Sequence, residues 1–177
     1  GVPGVLVGAA LFTGKLAIPM VPQGLPDSRI TLWEAHARWT PGAAELSAVY
    51  ARGQISRTAP YNLDNTGVSN PLPSQFLGSY LQAAYTVWQT DRYRFSPFAR
   101  WERFDMGHAY QGIAQGFTTT PAGLAADGLP WPLPNDRVWT LGANFYLDPH
   151  IVLKADYQVF DVNRNFSRFD LGLGLAF

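Results

Sequence analysis

Alternation of apolar and polar residues is the main signal in this chain. In its C-terminal segment, Phe169, Leu171, Leu173, Leu175 and Phe177 occupy every second position, with small or polar residues between them. A period of two is typical of a β-strand, whose side chains point alternately to two faces. A strand that is apolar along one face suits a wall that contacts lipid. The segment therefore predicts a membrane-facing strand.

The same pattern, read together with turn signals, predicts about eight strands and an all-β fold. Tight turns at residues 40–42, 90–92 and 148–150 contain Pro, Gly or Asp and join three hairpins. The first strand alternates poorly, so its two faces are not assigned. The predicted strands cover residues 5–13, 29–39, 44–52, 79–88, 94–105, 138–147, 151–160 and 167–177.

Long segments separate the hairpins. Residues 14–28, 53–78 and 106–136 are rich in Pro, Gly, Asn, Ser and Thr and are predicted to be loops. Short turns that alternate with long loops are typical of outer-membrane barrels, in which the long loops are extracellular. Residues 1–177 are therefore predicted to form a single region of an antiparallel transmembrane β-barrel.

Composition narrows the possible partners more than it narrows the fold. The 177 residues are 47% hydrophobic and 14% aromatic, which would also fit a soluble β-sandwich. No run of apolar residues is long enough for a transmembrane helix. Thirteen basic and thirteen acidic residues cancel, which argues against nucleic acid as a partner. The absence of cysteine excludes disulfides and thiolate metal sites. Because the chain starts at Gly1, we expect a piece of a longer protein.

Aromatic residues agree with the membrane interpretation. Many of them fall near strand ends on the predicted apolar face, where aromatic girdles occur at membrane interfaces. Packing in a sandwich core would explain any one of them equally well, so the joint pattern carries the argument. The residues predicted to point outward are Trp33, Trp39, Tyr50, Tyr85, Trp101, Trp139, Phe145, Tyr157 and Phe177.

Four segments resemble the phosphate-selective-porin-like proteins of bacterial outer membranes. They are residues 29–39 (RITLWEAHARW), 98–105 (FARWERFD), 151–158 (IVLKADYQ) and 168–177 (RFDLGLGLAF), and the last two are the most specific. The resemblance covers most of the chain. Members of that family are roughly twice as long and form barrels of about sixteen strands. The chain therefore resembles the C-terminal half of such a porin.

The resemblance implies a function in the bacterial outer membrane. It implies a water-filled channel for passive diffusion of small solutes or anions, without a cofactor. It also implies a trimer surrounded by the lipid bilayer and lipopolysaccharide. Family members that select phosphate carry rows of lumenal Arg and Lys, whereas this chain mixes both signs of charge on its inward positions. Phosphate is therefore not expected to be the specific solute.

The face opposite to the apolar one is predicted to line the pore. Charged side chains are costly in a dry core but are hydrated in a wet lumen, so this polar face favours a channel. The predicted pore-lining residues are Glu34, His36, Arg38, Glu45, Gln82, Arg100, Glu102, Lys154, Asp156, Gln158, Arg168 and Asp170.

Turn lengths predict which of these side chains meet across the hairpins. The four basic residues either set the field that an ion experiences or stabilise the wall as cross-strand pairs. We favour the structural role for Arg38 and the functional role for Arg100, whose predicted neighbour is neutral. The predicted pairs are Arg38 with Glu45, Gln82 with Arg100, Tyr80 with Glu102, Asn144 with Lys154, and Gln158 with Asp170.

Two other functions remain compatible with the sequence. His36 and Ser47 are predicted to face each other with Glu34 nearby, which gives the outline of a hydrolase site but no oxyanion site. A structural barrel, either packed or wrapped around a partner protein, is the second alternative. His36, His108 and His150 are too scattered along the chain to nominate a metal site, and no Gly-rich nucleotide loop is present.

Overall fold

The protein forms one antiparallel β-sheet. A computed structural model describes residues 2–16, 28–66, 71–124 and 128–175. A helix, α1 (Thr58–Asp64), lies between the third and fourth strands, and a 3-10 turn (Arg164–Phe166) precedes the last strand. The strands are β1 (Val5–Lys15), β2 (Arg29–Trp39), β3 (Ala44–Ile55), β4 (Pro73–Tyr85), β5 (Trp88–Gln89), β6 (Arg94–Tyr110), β7 (Asn135–Asp148), β8 (Ile151–Phe160) and β9 (Arg168–Leu175).

Neighbours in sequence are also neighbours in the sheet. The order is β1-β2-β3-β4-β6-β7-β8-β9, and the two-residue β5 pairs with β6. Among the described residues β1 does not pair with β9, so both remain edge strands and the sheet is not closed. The all-β, antiparallel prediction is confirmed, whereas closure into a barrel stays a prediction.

Five strands, β1, β3, β4, β6 and β7, are longer than predicted, and the three long loops are correspondingly shorter. Strand β4 starts at Pro73 rather than at residue 79, because a proline is tolerated as the first residue of a strand. The predicted fourth strand was wrong at its other end, since β4 stops at Tyr85 and Trp88 belongs to β5. The connections predicted at 14–28, 53–78 and 106–136 therefore contract to residues 16–28, 56–72 and 111–134. Residues 1, 17–27, 67–70, 125–127 and 176–177 lie outside the described part of the chain.

The connections divide the sheet into two ends. Residues 40–43, 86–93 and 149–150 form the short-turn end. The described residues of the other connections form the opposite, long-loop end; they are 16, 28, 56–66, 71–72, 111–124, 128–134 and 161–167. This alternation is the one that the sequence predicted.

The two faces of the sheet differ in an unusual way. Every second residue of each strand lies on one face, which is apolar except toward the long-loop end, and its large apolar side chains are exposed, with Leu171 at 75% and Leu141 at 63%. The opposite, polar face is more enclosed, since Asp156 is only 4% exposed and Thr140 only 2%. Soluble proteins bury apolar side chains and expose polar ones, so this sheet is inverted relative to a soluble domain.

The aromatic residues predicted to point outward share the apolar face. The register places Trp33, Trp39, Tyr50, Tyr85, Trp101, Trp139, Phe145 and Tyr157 there, while Phe177 lies outside the described residues.

Several of these rings contact one another near the strand ends. Trp33 and Tyr50 lie 5.3 Å apart between ring centroids toward the long-loop end. Trp88, Tyr93 and Phe145 stack at the short-turn end, with centroid separations between 6.0 and 6.4 Å. Such rings are typical of the two interfaces of a membrane.

Two long connections are joined through one asparagine. The side-chain amide of Asn62 in α1 donates to the carbonyls of Leu72 and Gln111 at 3.0 and 2.7 Å, and its oxygen accepts the Leu72 N–H at 2.9 Å. Gly112 has a φ of +71°, and a Cβ there would collide with the Ala59 carbonyl oxygen. Only glycine therefore allows this approach.

Among the described residues, no helix is long and apolar enough to span a membrane.

Candidate functional site: a polar row across the sheet

One continuous row of polar side chains crosses the polar face. Successive cross-strand pairs link seven strands from β2 to β9, and every side chain in the row can donate or accept a hydrogen bond. This polar row consists of Arg38, Ser47, Gln82, Arg100, Thr140, Gln158 and Arg168. Carboxylates flank the row on both sides. Toward the short turns they are Glu45, Asp156 and Asp170, and toward the long loops they include Glu102.

Arg100 lies at the centre of the row and has three neighbours. Its Nε donates to Gln82 Oε1 at 2.9 Å, as the sequence predicted. Its Nη1 lies 3.7 Å from Glu102 Oε1, and its guanidinium sits 4.8 Å from the Tyr80 ring centroid. The predicted pairing of Tyr80 with Glu102 is confirmed. Arg100 is therefore not an isolated cation beside a neutral amide, because a carboxylate also contacts it.

Arg38 contacts Glu45, but the register predicted for this hairpin was wrong. Nη2 of Arg38 donates to Oε2 of Glu45, although the residue directly opposite Arg38 is Ser47. After the turn, Ala44 pairs first with Tyr85 of β4, and pairing with β2 begins only at Leu46. The Arg38–Glu45 contact is therefore diagonal.

Lys154 and Asp156 form a pair along one strand. Lys154 Nζ lies 3.1 Å from Asp156 Oδ2 and 5.2 Å from the Phe98 ring centroid. Asp156 also accepts a hydrogen bond from Gln158 Nε2 at 3.3 Å. Asn144 lies opposite Lys154, as predicted. The carboxylate of Asp156 is thus satisfied although it is buried.

The predicted pair of Gln158 and Asp170 was wrong by two residues. Gln158 lies opposite Arg168, and Asp170 lies opposite Asp156. The 3-10 turn between β8 and β9 moves the centre of this hairpin to an earlier residue than the sequence indicated. Arg168 Nε then donates to Asp170 Oδ2 at 3.0 Å along its own strand.

The residues of the hydrolase hypothesis do not face each other. His36 lies opposite Val49, and Ser47 lies opposite Arg38. His36 Nδ1 instead contacts Glu34 Oε1 at 2.9 Å. The cross-strand coincidence on which that hypothesis was based is therefore absent. Among the described residues, no three His, Cys, Asp or Glu side chains cluster closely enough to hold a metal ion.

All twelve residues predicted to line a pore lie on the polar face. The register brings Arg38, Gln82, Arg100, Gln158 and Arg168 into the polar row. It places five of the others in the rows directly beside it, and it places Glu34 and Lys154 two rows away. That this face lines a pore stays a prediction.

The polar face also carries an apolar layer, which the sequence interpretation missed. This layer lies toward the long-loop end, beyond the polar row. In the register it pairs Phe12 with Leu32 and Val138 with Phe160, and it includes Phe76 and Phe104. The alternation of residues along each strand could have predicted this layer, because these apolar residues lie an even number of positions from the polar residues of the same strand and so point to the same face.

Thr140 and Asp136 are two further polar residues on this face that the predicted set did not contain. Thr140 is a member of the polar row, and its Oγ1 has no hydrogen-bond partner among the described residues. Asp136 is 2% exposed and would appear from sequence to be part of a loop. Once β7 is extended to begin at Asn135, its alternation places both residues on the polar face.

Asp136 binds backbone N–H groups rather than a cation. Its Oδ1 accepts from Arg137, Asp161 and Val162 at 2.7, 3.0 and 2.9 Å. Its Oδ2 accepts from the backbone N–H and the side-chain amide of Asn163 at 2.7 and 2.9 Å. The carboxylate thereby fixes the connection between β8 and β9 against the start of β7.

Comparison with known protein families, with curated proteins and with solved structures finds no match to this chain. The resemblance to phosphate-selective-porin-like proteins therefore stays a prediction. The functional proposal therefore depends on the geometry of the two faces of the sheet.

Proposed function

We propose that this chain forms part of the wall of an outer-membrane porin, a water-filled channel for passive diffusion of small solutes. The observation that carries the proposal is the inverted sheet, with exposed Leu171 and Leu141 on one face and enclosed Asp156 and Thr140 on the other. A lipid-facing outer surface and a hydrated interior are the environments that such a sheet needs. The unpaired edges of β1 and β9 would be covered by further strands of a larger barrel.

The charge arrangement favours weak ion selectivity. Four cations of the predicted lining each contact a carboxylate: Arg38 with Glu45, Arg100 with Glu102, Lys154 with Asp156, and Arg168 with Asp170. Rings of one sign produce strong selectivity in channels, whereas alternating signs largely cancel. We therefore expect a channel that passes small solutes with at most a modest preference for anions.

Single-channel recording tests this proposal. The intact parent protein is inserted into a planar bilayer, and the reversal potential is measured under a salt gradient. Stable conductance steps with a small reversal potential are the expected result. If folded, membrane-inserted protein gives no conductance, an open channel is ruled out.

A structural or sheath-like barrel is the second candidate. The apolar layer of the polar face, which includes Phe76, Phe104 and Val138, favours it, because apolar side chains on an inner wall can pack against a plug or partner. A folded barrel without conductance that opens when Phe76 and Phe104 are replaced by Ser would support this candidate. Conductance in the unmodified protein would instead make the layer a constriction within an open pore.

A further inference from the structure

The polar face separates its two signs of charge into neighbouring rows. The charged residues of the polar row are all cations, namely Arg38, Arg100 and Arg168. The next row toward the short turns contains three carboxylates and no cation. We call it the carboxylate row, and it consists of Glu45, Ala84, Phe98, Gly142, Asp156 and Asp170.

Two well-exposed ion pairs join the rows. Arg38 contacts Glu45, and Arg168 Nε donates to Asp170 Oδ2 at 3.0 Å. The four side chains are between 35% and 56% exposed. Both pairs have the same direction, because each cation is nearer the long loops and each carboxylate is nearer the short turns.

The two rows give this part of the sheet a fixed direction of charge. They lie two residues apart along each strand, which separates their backbones by about 7 Å. In the row on the other side of the polar row, Glu102 is the one carboxylate among the described residues. The excess of negative charge beside the polar row is therefore on the side of the short turns.

This arrangement distinguishes solutes by the placement of their charges. A simple anion that binds an arginine of the polar row also meets a carboxylate of the next row, and a simple cation meets the reverse. A zwitterion satisfies both rows, with its carboxylate against the arginines and its ammonium group against the carboxylates. Exposed ion pairs contribute little stability, so a solute can replace one partner at small cost. Conduction requires contacts that are weak and repeated.

We propose that the polar row and the carboxylate row together bind zwitterionic solutes whose two charges are several ångströms apart, such as short peptides with free termini. The solute lies with its carboxylate toward the long loops and its ammonium group toward the short turns. Arg38, Glu45, Arg168 and Asp170 supply the most exposed contacts of the two rows. The inference rests on the proposed channel function, since it requires the polar face to line the lumen.

Solute flux into proteoliposomes that contain the intact parent protein tests the proposal. The probes are glycylglycine, which is zwitterionic, and N-acetylglycinamide, which has nearly the same size and no charge. At low concentration and zero membrane potential, glycylglycine should enter about fivefold faster, which is the effect of one charge contact at about 4 Å in water. N-acetylglycine, an anion of the same skeleton, should also enter more slowly than glycylglycine.

Two variants remove the exposed charges of one row each. Glu45→Gln with Asp170→Asn removes two carboxylates, and Arg38→Gln with Arg168→Gln removes the cations that contact them. Either variant should bring the fluxes of glycylglycine and N-acetylglycinamide close to each other. If one variant does not fold, the other still decides the question.

The matched control removes two carboxylates outside the polar face. Asp91 lies in a short turn and Asp161 follows β8, and both are exposed. Asp91→Asn with Asp161→Asn should keep the full preference for glycylglycine.

The outcomes separate this inference from the proposed function. Equal fluxes of glycylglycine and N-acetylglycinamide through the unmodified protein would overturn the inference and leave the channel in place. A preference that the folded row variants retain, or equal entry of glycylglycine and N-acetylglycine, would overturn it as well. Absence of flux for all three probes through folded, inserted protein would instead refute the channel, and the inference with it.

Discussion

The polar row and two exposed arginines of the apolar face, Arg103 and Arg137, differ in how their charges are balanced. Each cation of the row contacts a carboxylate of the chain itself, as Arg100 contacts Glu102. Arg103, the next residue after Glu102, points to the other face and has no such partner within the described residues. Neighbouring positions of one strand thus belong to two electrostatic environments. The comparison indicates that the enclosed face is balanced within the chain, whereas the exposed face depends on its surroundings.

Placing a charge in the middle of the apolar face should produce the largest effect. Leu141 is 63% exposed and lies between Trp139 and Phe145 on that face. In lipid vesicles, Leu141→Arg should reduce the free energy of unfolding of the parent protein by about 2–4 kcal/mol. On a water-exposed surface the same change would cost roughly 0.5 kcal/mol or less. Urea titration of vesicle-inserted protein measures the difference.

The control for this variant places the same charge on the polar face. His36→Arg should cost roughly 0.5 kcal/mol or less, because Glu34 is beside it. Equal costs for the two variants would contradict a lipid-facing apolar surface.

Asp136 differs from the carboxylates that contact the polar row, because it is buried and accepts N–H groups instead of contacting a cation. Asp136→Ala leaves the N–H groups of Val162 and Asn163 without their acceptor, while the Asp161 N–H keeps the Arg137 carbonyl. We expect a loss of about 2 kcal/mol in the free energy of unfolding. Amide hydrogen exchange should become faster at Val162 and Asn163, while the centre of β3 stays protected. Unchanged exchange at Val162 would show that the carboxylate does not fix this connection.

Two adjacent substitutions compare the faces directly through ion selectivity. Glu102→Gln removes the carboxylate that contacts Arg100, so the preference for anions should rise about fivefold, since a unit charge at about 4 Å in water is worth roughly 1 kcal/mol. Arg103→Gln removes a charge from the other face and should leave selectivity unchanged. Reversal potentials under a salt gradient measure both. A larger shift for Arg103→Gln than for Glu102→Gln would reverse our assignment of the faces.

The smallest effect is expected for the Arg38–Glu45 contact. Its two side chains are 56% and 35% exposed, so water screens their attraction. Arg38→Gln should therefore change the free energy of unfolding by less than about 1 kcal/mol. Glu45→Gln is the matched variant and should behave alike. A loss of several kcal/mol for either would mean that this contact stabilises the wall.

Strand periodicity predicted most of the sheet, because a period of two depends only on local sequence. It assigned Phe169, Leu171 and Leu173 to the apolar face and Lys154 and Asp156 to the polar face, and the register agrees. Alternation also survives small errors in the strand ends.

Register and loop structure were harder to predict, because they depend on partners distant in sequence. The turn between β2 and β3 is closed by the Ala44 N–H, which donates to the Pro41 carbonyl at 3.1 Å, so Arg38 lies opposite Ser47 rather than Glu45. Helix α1 lies in a segment that appeared to be a loop, with Pro60 in its first turn, where proline is tolerated. That Arg103 and Arg137 lie opposite each other becomes visible only when β6 and β7 are aligned.

The hydrogen bonds of Asn62 have a consequence for the order of assembly. Asn62 and Gln111 are separated by 49 positions, and their contact requires that the intervening hairpin of β4 and β6 is already formed. Bringing residues so distant in sequence together costs conformational entropy. That cost is small once the hairpin has formed, because the hairpin already holds the two connections close together. We expect this network to form late in folding, so protection of the Leu72 amide from exchange would report the last step of maturation.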